Sequence, residues 1–273
     1  MKNDDFILRE TQGIPYYSCQ IFESLARFPH GFSTRHGGRS RISGHEEGSF
    51  NLSDTAWDSP ERVRENQRRF LSAIQLENAS LITLDQVHSN RVHIVRDLKG
   101  PWQPVAGDAL ITRAEGIALA VKIGDCLPIL IVDPVHAAVA AVHSGWRGTL
   151  SGILPQTIRE MRKEFDSNPE ELHVAIGPGI RSCCFEVGAE VVSEFDAEFP
   201  GASLAKPIET RPGKFLLDHS KALKIQLHLA GVTPENCYDL NACTCCNTRD
   251  FFSYRAEGIE SGRMMAVIGI SAR

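Results

Sequence analysis

The chain has 273 residues, 42% of them hydrophobic and 23% charged, and 29 Lys and Arg against 34 Asp and Glu leave a net charge of −5. That is enough chain to bury a large core, while the acidic balance and the absence of a basic run exclude a nucleic-acid surface built on phosphate neutralisation. No stretch of about 18 apolar residues reads as a membrane span, and no basic-then-apolar leader opens the chain, so a cytoplasmic protein without a membrane partner is expected.

In chain order, residues 1–12 read as an N-terminal tether or an edge strand, and strand-like runs follow at 15–19, 81–84, 91–96, 108–112, 117–123, 128–133 and 137–142. Further runs at 172–176, 251–254 and 264–270 have the same character. Helical periodicity occupies 60–74, 149–165, 188–197 and 219–230. Ser59-Pro60 places an N-cap and a proline at the start of the first, and Gly231 stops the last. Without a linker, repeat or low-complexity tract, 1–273 reads as one domain. Strands outnumber helices and at least one hairpin joins neighbours, so the pattern predicts an α/β fold with a mixed sheet covered by helices.

The hairpin carries the first chemical signal. Residues 128–133 (PILIVD) and 137–142 (AAVAAV) flank Pro134-Val135-His136 as a turn. Centred on Val135, this hairpin sets Cys126 opposite Ser144 and His143 opposite Leu127 at its open end, and Cβ atoms of such neighbours lie roughly 4.5–5.5 Å apart. His88 sits in a polar loop, Asp-Gln-Val-His-Ser-Asn, between two strand-like runs. Two imidazoles and one thiolate form a three-ligand zinc set, and catalytic zinc sites keep three protein ligands and an open fourth position. Taken singly, each of these residues reads more readily as a packed thiol or a hydrogen-bonded histidine. The hexapeptide His143-Ser144-Gly145-Trp146-Arg147-Gly148 favours a site, because a small-residue turn carrying Trp and Arg is an odd way merely to leave a strand.

Eight cysteines are present, but Cys183-Cys184 and Cys243-x-Cys245-Cys246 suit neither a secreted disulfide framework nor ordinary zinc spacing. A second metal site from Cys237, Cys243, Cys245 and Cys246 is the minor reading beside reduced thiols. Asn66 falls on the apolar stripe of the 60–74 helix, with Val63 and Phe70, as a satisfied core asparagine or, less readily, a substrate or anion contact.

The motifs Phe32-Ser33-Thr34-Arg35-His36-Gly37-Gly38, Ser49-Phe50-Asn51-Leu52, Gln86-Val87-His88, Gly107-Asp108-Ala109-Leu110-Ile111-Thr112, Gly124-Asp125-Cys126 and the hexapeptide resemble, in order, the YfiH or laccase-domain family. Ile176-Gly177-Pro178-Gly179-Ile180, Cys243-Thr244 and Phe251-Phe252-Ser253-Tyr254-Arg255 continue the match, which spans 32–263. The departures are Gly107 and Gly124 in place of alanines, Gln67 after Asn66, and Ala256 in place of an arginine; none removes a ligand. The resemblance implies a three-layer α/β/α arrangement, zinc on His88, Cys126 and His143, and phosphorolysis of adenosine, inosine and methylthioadenosine together with adenosine deamination.

On that reading Asp125 is a general acid or a residue that orients the metal ligands. Arg35, Arg147 and Arg255 are candidate anion-holding arginines, since a guanidinium fork pairs with phosphate oxygens, with surface or structural pairing as the alternative for each, and Ser33, His36 and Asn66 accompany them. Three rivals stay open: a copper-dependent polyphenol oxidase, a hydrolase with Cys126 as nucleophile and His143 as base acting in peptidoglycan precursor editing, and a metal-stabilised binding module. The partners expected are purine nucleosides and phosphate, with a monomer or a weak homo-oligomer as the assembly.

Overall fold

Strands that are apolar on both faces need cover on both faces, and that requirement sets the architecture. The computed structural model describes residues 5–41, 48–98 and 100–271. The chain begins with β1 (Phe6–Thr11), β2 (Ile14–Cys19), a helical turn α1 (Gln20–Ser24), β3 (His30–Ser33), β4 (His36–Ser40) and α2 (Pro60–Ala73). Next come β5 (Ser80–Ile82), β6 (Val92–Ile94), β7 (Ala109–Thr112), β8 (Ile117–Ile123), β9 (Leu127–Asp133), β10 (Ala138–Ser144), α3 (Trp146–Leu150) and α4 (Ile153–Phe165). The remainder is β11 (His173–Ile176), β12 (Glu186–Gly188), α5 (Ala189–Glu198), β13 (Ala205–Pro207), β14 (Lys214–Leu217), α6 (His219–Leu229), β15 (Cys237–Asp239), α7 (Tyr254–Glu257) and β16 (Met264–Gly269).

Two six-stranded mixed sheets result, ordered β1-β2-β3-β16-β8-β5 and β15-β11-β9-β10-β7-β6, with a small third sheet β12-β14-β13. The first is antiparallel except where β5 joins β8, and the second is parallel only at its two edges. Phe32, Leu119, Val121 and Ile268 of the first sheet share one core with Leu130, Val132, Val139 and Ala141 of the second, so the sheets pack face to face. Phe70 and Leu71 of α2 cover the outer face of the first sheet, while Ile158, Met161 and Phe165 of α4 and Leu223 and Leu227 of α6 cover the second. The α/β class with mixed sheets is as expected. The layer count is not: two sheets, rather than one, lie between the helices. Periodicity shows that a strand is buried on both faces but not whether a helix or another sheet covers it.

Local chemistry explains the other agreements and differences. Ser59 caps α2 by accepting from Arg62 N, with Pro60 at the first turn. The helix expected at 149–165 is divided by Gly152, which adopts φ 75° between α3 and α4. Of the two readings for the first dozen residues, Phe6–Thr11 forms the edge strand, paired to β2 from Phe6↔Cys19 to Thr11↔Ile14. No strand forms at 251–254. Ser253 instead caps the single-turn α7, its hydroxyl accepting from Ala256 N and its N–H donating to the Glu257 carboxylate at 3.0 Å.

The β9–β10 hairpin exists one residue out of the expected register, pairing His143 with Pro128 and Ser144 with Leu127. Its turn holds four residues, Pro134 to Ala137, rather than three. Asp133 Oδ1 accepts from the N–H groups of Val135 and His136, and Ala137 takes φ 50° to close the loop.

Candidate active site

Asp108, fully buried immediately before β7, organises two of the three expected ligands. Its Oδ1 accepts from His143 Nδ1 at 2.9 Å and from His88 N at 3.0 Å. Its Oδ2 accepts from Ser89 N at 2.6 Å, Ser89 Oγ at 2.8 Å and Val87 N at 3.3 Å. The loop after β5 therefore wraps around one carboxylate, and His88 turns through φ 59° to do so. Because Asp108 accepts at Nδ1, His143 presents Nε2. Burial alone raises the Asp108 carboxyl, but the bonds from His143 and Ser89 hold it down at about 2.

Cys126 closes the cluster from the β8–β9 turn. Its Sγ lies 3.7 Å from His88 Nε2, and the ligand atoms of His88, Cys126 and His143 all lie within 4.8 Å of one another. The two imidazoles meet edge to face at 78°, with centroids 4.9 Å apart. Burial raises the Cys126 thiol, yet the charge and hydrogen bond of His143 outweigh it and bring it down to about 6. Burial lowers His143, and the Cys126 thiolate and Asp108 outweigh that to lift it to about 9. A Cβ on Gly145 would meet His88 Cδ2 at 2.5 Å and Cys126 Sγ at 3.1 Å, so the glycine keeps open the space in which these donors converge. Two imidazole nitrogens and a thiolate, backed by a carboxylate, fit a borderline-soft divalent ion and leave a coordination position free.

The cluster lines a cavity of about 680 Å3, within the size range of small-molecule sites. Trp146, Phe185 and Tyr254 supply aromatic surface, Lys122, Arg255 and Arg263 cationic groups, and Asp85, Gln86 and Ser53 polar ones. Asp125 also lines it, at φ 101°, but its carboxylate is occupied: Oδ1 accepts from Thr244 Oγ1 at 2.6 Å and Ser253 Oγ at 2.7 Å, and Oδ2 from Arg255 N at 2.6 Å. None of these bonds goes to His88, Cys126 or His143, so the carboxylate does not orient the expected ligands; it ties the 244 and 253–255 segments to the residue beside Cys126.

Arg255 reaches the cavity, its guanidinium donating to the carbonyls of Cys184 and Glu186. The other anion candidates lie away from the cavity lining. Arg35 is buried over the Phe252 ring and paired to Glu257 at 2.7 Å. Arg147 stacks on Trp146 at 4.1 Å and faces solvent. Ser33 accepts from Met265 N within the first sheet, and His36 lies 3.4 Å from Asp250 at the surface. Asn66 is fully buried and saturated, accepting from Arg39 N and donating to Ser40 Oγ and Asn51 O, as the core-asparagine reading expects.

Sequence reasoning passed over Asp108 as the orienting carboxylate, although it stands in a quoted motif, and passed over Lys122, Phe185 and Arg263. One signal existed for Arg263. A Cβ on Gly124 would lie 3.0 Å from Arg263 Cδ, so the glycine makes room for that arginine. The second thiol group also differs from the one weighed: Cys183, Cys184, Cys243 and Cys246 gather, while Cys237 lies in β15 and Cys245 packs beside the apolar cluster of Phe185 and Phe195.

Fold and site together define an enzyme with a candidate metal centre opening onto a polar and aromatic cavity. A family model described as multi-copper polyphenol oxidoreductase laccase matches residues 29–271, and the chain belongs to that family. It is 37% identical over 246 residues to a purine nucleoside phosphorylase of Deinococcus radiodurans, covering 90% of each chain. It is 33% identical to an adenosine deaminase, RL5, from an unknown prokaryotic organism, covering 85% of this chain and 90% of that one. The solved structure of YlmD from Geobacillus stearothermophilus superposes with a TM-score of 0.86 at 30% identity, over 98% of this chain and 99% of that one. Among the described residues, no helix is long and apolar enough to cross a membrane.

Proposed function

We propose that the chain is a zinc-dependent purine nucleoside phosphorylase that also deaminates adenosine. The observation that carries this reading is the sharing of one cavity by the His88–Cys126–His143 cluster, an aromatic group and a set of cations. Phosphorolysis forms a bond from a phosphate oxygen to the anomeric carbon as the carbon–nitrogen bond breaks and its electron pair leaves with the purine. Arg255 and Arg263 would hold the anion, since fixed guanidinium forks suit phosphate oxygens. Trp146, Phe185 and Tyr254 would seat the flat base, and Asp85 and Gln86 would accept from ribose hydroxyls. His88, Cys126 and His143 would hold the zinc ion, which supplies Lewis-acid polarisation where the base reacts. His219, lowered to about 3 chiefly by burial and then by Arg181, also lines the cavity.

The relatives' names support this substrate class over the phenol oxidation in the family's description. Among the described residues only two groups of three or more metal-capable side chains occur, this trio and the four cysteines. Neither supplies the several histidines of a multinuclear copper centre. The test is product analysis of adenosine and inosine, with and without phosphate, on native protein and on Cys126→Ala. Free base with ribose 1-phosphate, abolished in the variant along with the zinc held by His88, Cys126 and His143, is expected. No release of free base by the zinc-loaded protein would sink the proposal.

One feature favours a second reading, a thiol hydrolase: Cys126, His143 and Asp108 are arranged as thiol, imidazole and orienting carboxylate, with the thiol lowered and the imidazole raised by each other's proximity. That mechanism leaves His88, aimed at the same sulfur, without a task. Loss of activity on chelation and recovery with zinc separates the two, because a thiol hydrolase survives chelation and succumbs to alkylation.

A further inference from the structure

We propose a second metal site, for a single soft divalent ion of the zinc class, built by the sulfurs of Cys183, Cys184, Cys243 and Cys246 at the edge of the cavity wall. The four Sγ atoms all lie within 4.8 Å of one another, with Cys246 at 3.3 Å from Cys183 and 3.1 Å from Cys184. Tetrahedral coordination at a zinc–sulfur distance of about 2.3 Å sets sulfurs roughly 3.8 Å apart, in the middle of that range. Multi-iron clusters spread their four thiolates over two or more iron atoms and need a wider frame than this one. A disulfide accounts for less: Cys246 is equally near two partners and can bond one, leaving two grouped thiols unexplained.

Two loops deliver these sulfurs, and backbone contacts hold the loops together before any ion binds. Gly179 bridges Cys243 in parallel register, its N–H donating to Ala242 O at 3.1 Å, and Thr244 N returns to Gly179 O at 3.2 Å. Cys184 N closes a turn onto Arg181 O at 2.9 Å, which brings Cys183 and Cys184 over the Cys243–Cys246 turn. The latter turn is closed in its own right by Asn247, whose backbone N–H and side-chain amide both donate to Cys243 O.

Four protein ligands leave no open position, so this ion is structural. Its binding displaces the thiol protons and crosslinks segments 62 and 63 residues apart in sequence. Those segments build the cavity. Phe185, beside Cys184, lines it; Thr244, beside Cys243, holds Asp125; and Arg255 donates to Cys184 O. The ion would fix the wall that carries Phe185 and Arg255 relative to the His88–Cys126–His143 centre.

The experiment counts zinc per chain by elemental mass spectrometry, on full-length protein loaded with zinc and freed of excess metal. Native protein, Cys246→Ala, Cys183→Ser, Cys126→Ala and the Cys126→Ala/Cys246→Ala double variant are compared. Two ions in native protein, one in each single variant and none in the double are expected. Cobalt(II) in Cys126→Ala should show the intense thiolate-to-metal charge transfer of a four-sulfur site, which the double variant lacks. All eight cysteines should react as thiols once the protein is denatured with chelator and without reductant. The proposal is overturned if Cys246→Ala and Cys183→Ser keep every ion that native protein holds, or if two thiols are missing from the denatured count. It is independent of the active-site reading, because an empty catalytic centre still leaves one ion that Cys246→Ala removes.

Discussion

Replacing Asp108 by Asn tests whether one carboxylate builds the candidate metal centre. Five donors converge on its two oxygens: the backbone N–H groups of Val87, His88 and Ser89, the Ser89 hydroxyl and His143 Nδ1. An amide nitrogen in either place meets donors. One rotamer opposes His143 and His88; the other opposes the N–H groups of Val87 and Ser89, while the Ser89 hydroxyl can turn to accept. Each charge-assisted bond contributes about 1.5 kcal/mol or more, so losing two costs about 3 kcal/mol, divided between the fold and the metal site. The share at the metal should weaken zinc affinity about 10- to 100-fold, the usual effect of removing a ligand's orienting partner. Competition with a chromophoric chelator measures that share in a Cys246→Ala background, where the catalytic ion alone is counted, and thermal unfolding of the zinc-free variant measures the remainder. Zinc affinity unchanged beside a lowered unfolding temperature would refute the orienting role and leave Asp108 as a loop anchor only.

Gly145→Ala should fold but lose about tenfold or more in zinc affinity, because the new methyl enters the space of His88 and Cys126, whereas Gly148→Ala, whose nearest contacts are 3.5 Å away, should bind normally by the same chelator competition. Arg181→Ala should cost about 3 kcal/mol in urea unfolding, since it strips a buried partner from Asp239, which keeps Lys224 and Ser220. His30 is buried, accepts from Cys19 N at 2.8 Å and bonds Phe28 O at 2.8 Å, and burial pushes it from 6.5 down to about 4. The unfolded chain therefore binds this proton more readily: the stabilisation is full above pH 6.5 and is lost as pH falls towards 4, by about 2 kcal/mol between pH 7 and pH 5. Urea unfolding at those two pH values should show that loss, and His30→Gln, which cannot titrate, should shrink it by about the same amount; an unaltered pH dependence would contradict the burial argument.

Local order was legible where local physics dominates. Ser59-Pro60 marked the start of α2, unbroken apolar runs marked β8, β9 and β10, and the short turn between the last two joined them as a hairpin. The hairpin was displaced by one residue because a side chain, Asp133, decides how many residues the turn contains. Strand β3, central in the first sheet, escaped notice because all four of its residues are buried and two of them are His and Gly, which break the apolar pattern. At 251–254 the two buried phenylalanines resemble a strand, yet the Ser253–Glu257 contacts wind the chain into a helical turn.

By itself, the sequence marked most of the segments and singled out the candidate trio of His88, Cys126 and His143, since hairpin geometry is local and a two-imidazole, one-thiolate set is recognisable by residue type. Only the tertiary structure decided what surrounds them. Of the arginines in distinctive motifs, Arg35 packs over Phe252 and Arg147 on Trp146, while Arg255 reaches the cavity together with Arg263 and Lys122, which stand in no such pattern. The four cysteines sort themselves into a group that spacing could not name, because Cys183 and Cys184 meet Cys243 and Cys246 across a fold and not along a chain. Side-chain identity travels with the sequence, but convergence depends on which strands pair and which faces pack, and those contacts are set by burial summed over the whole molecule.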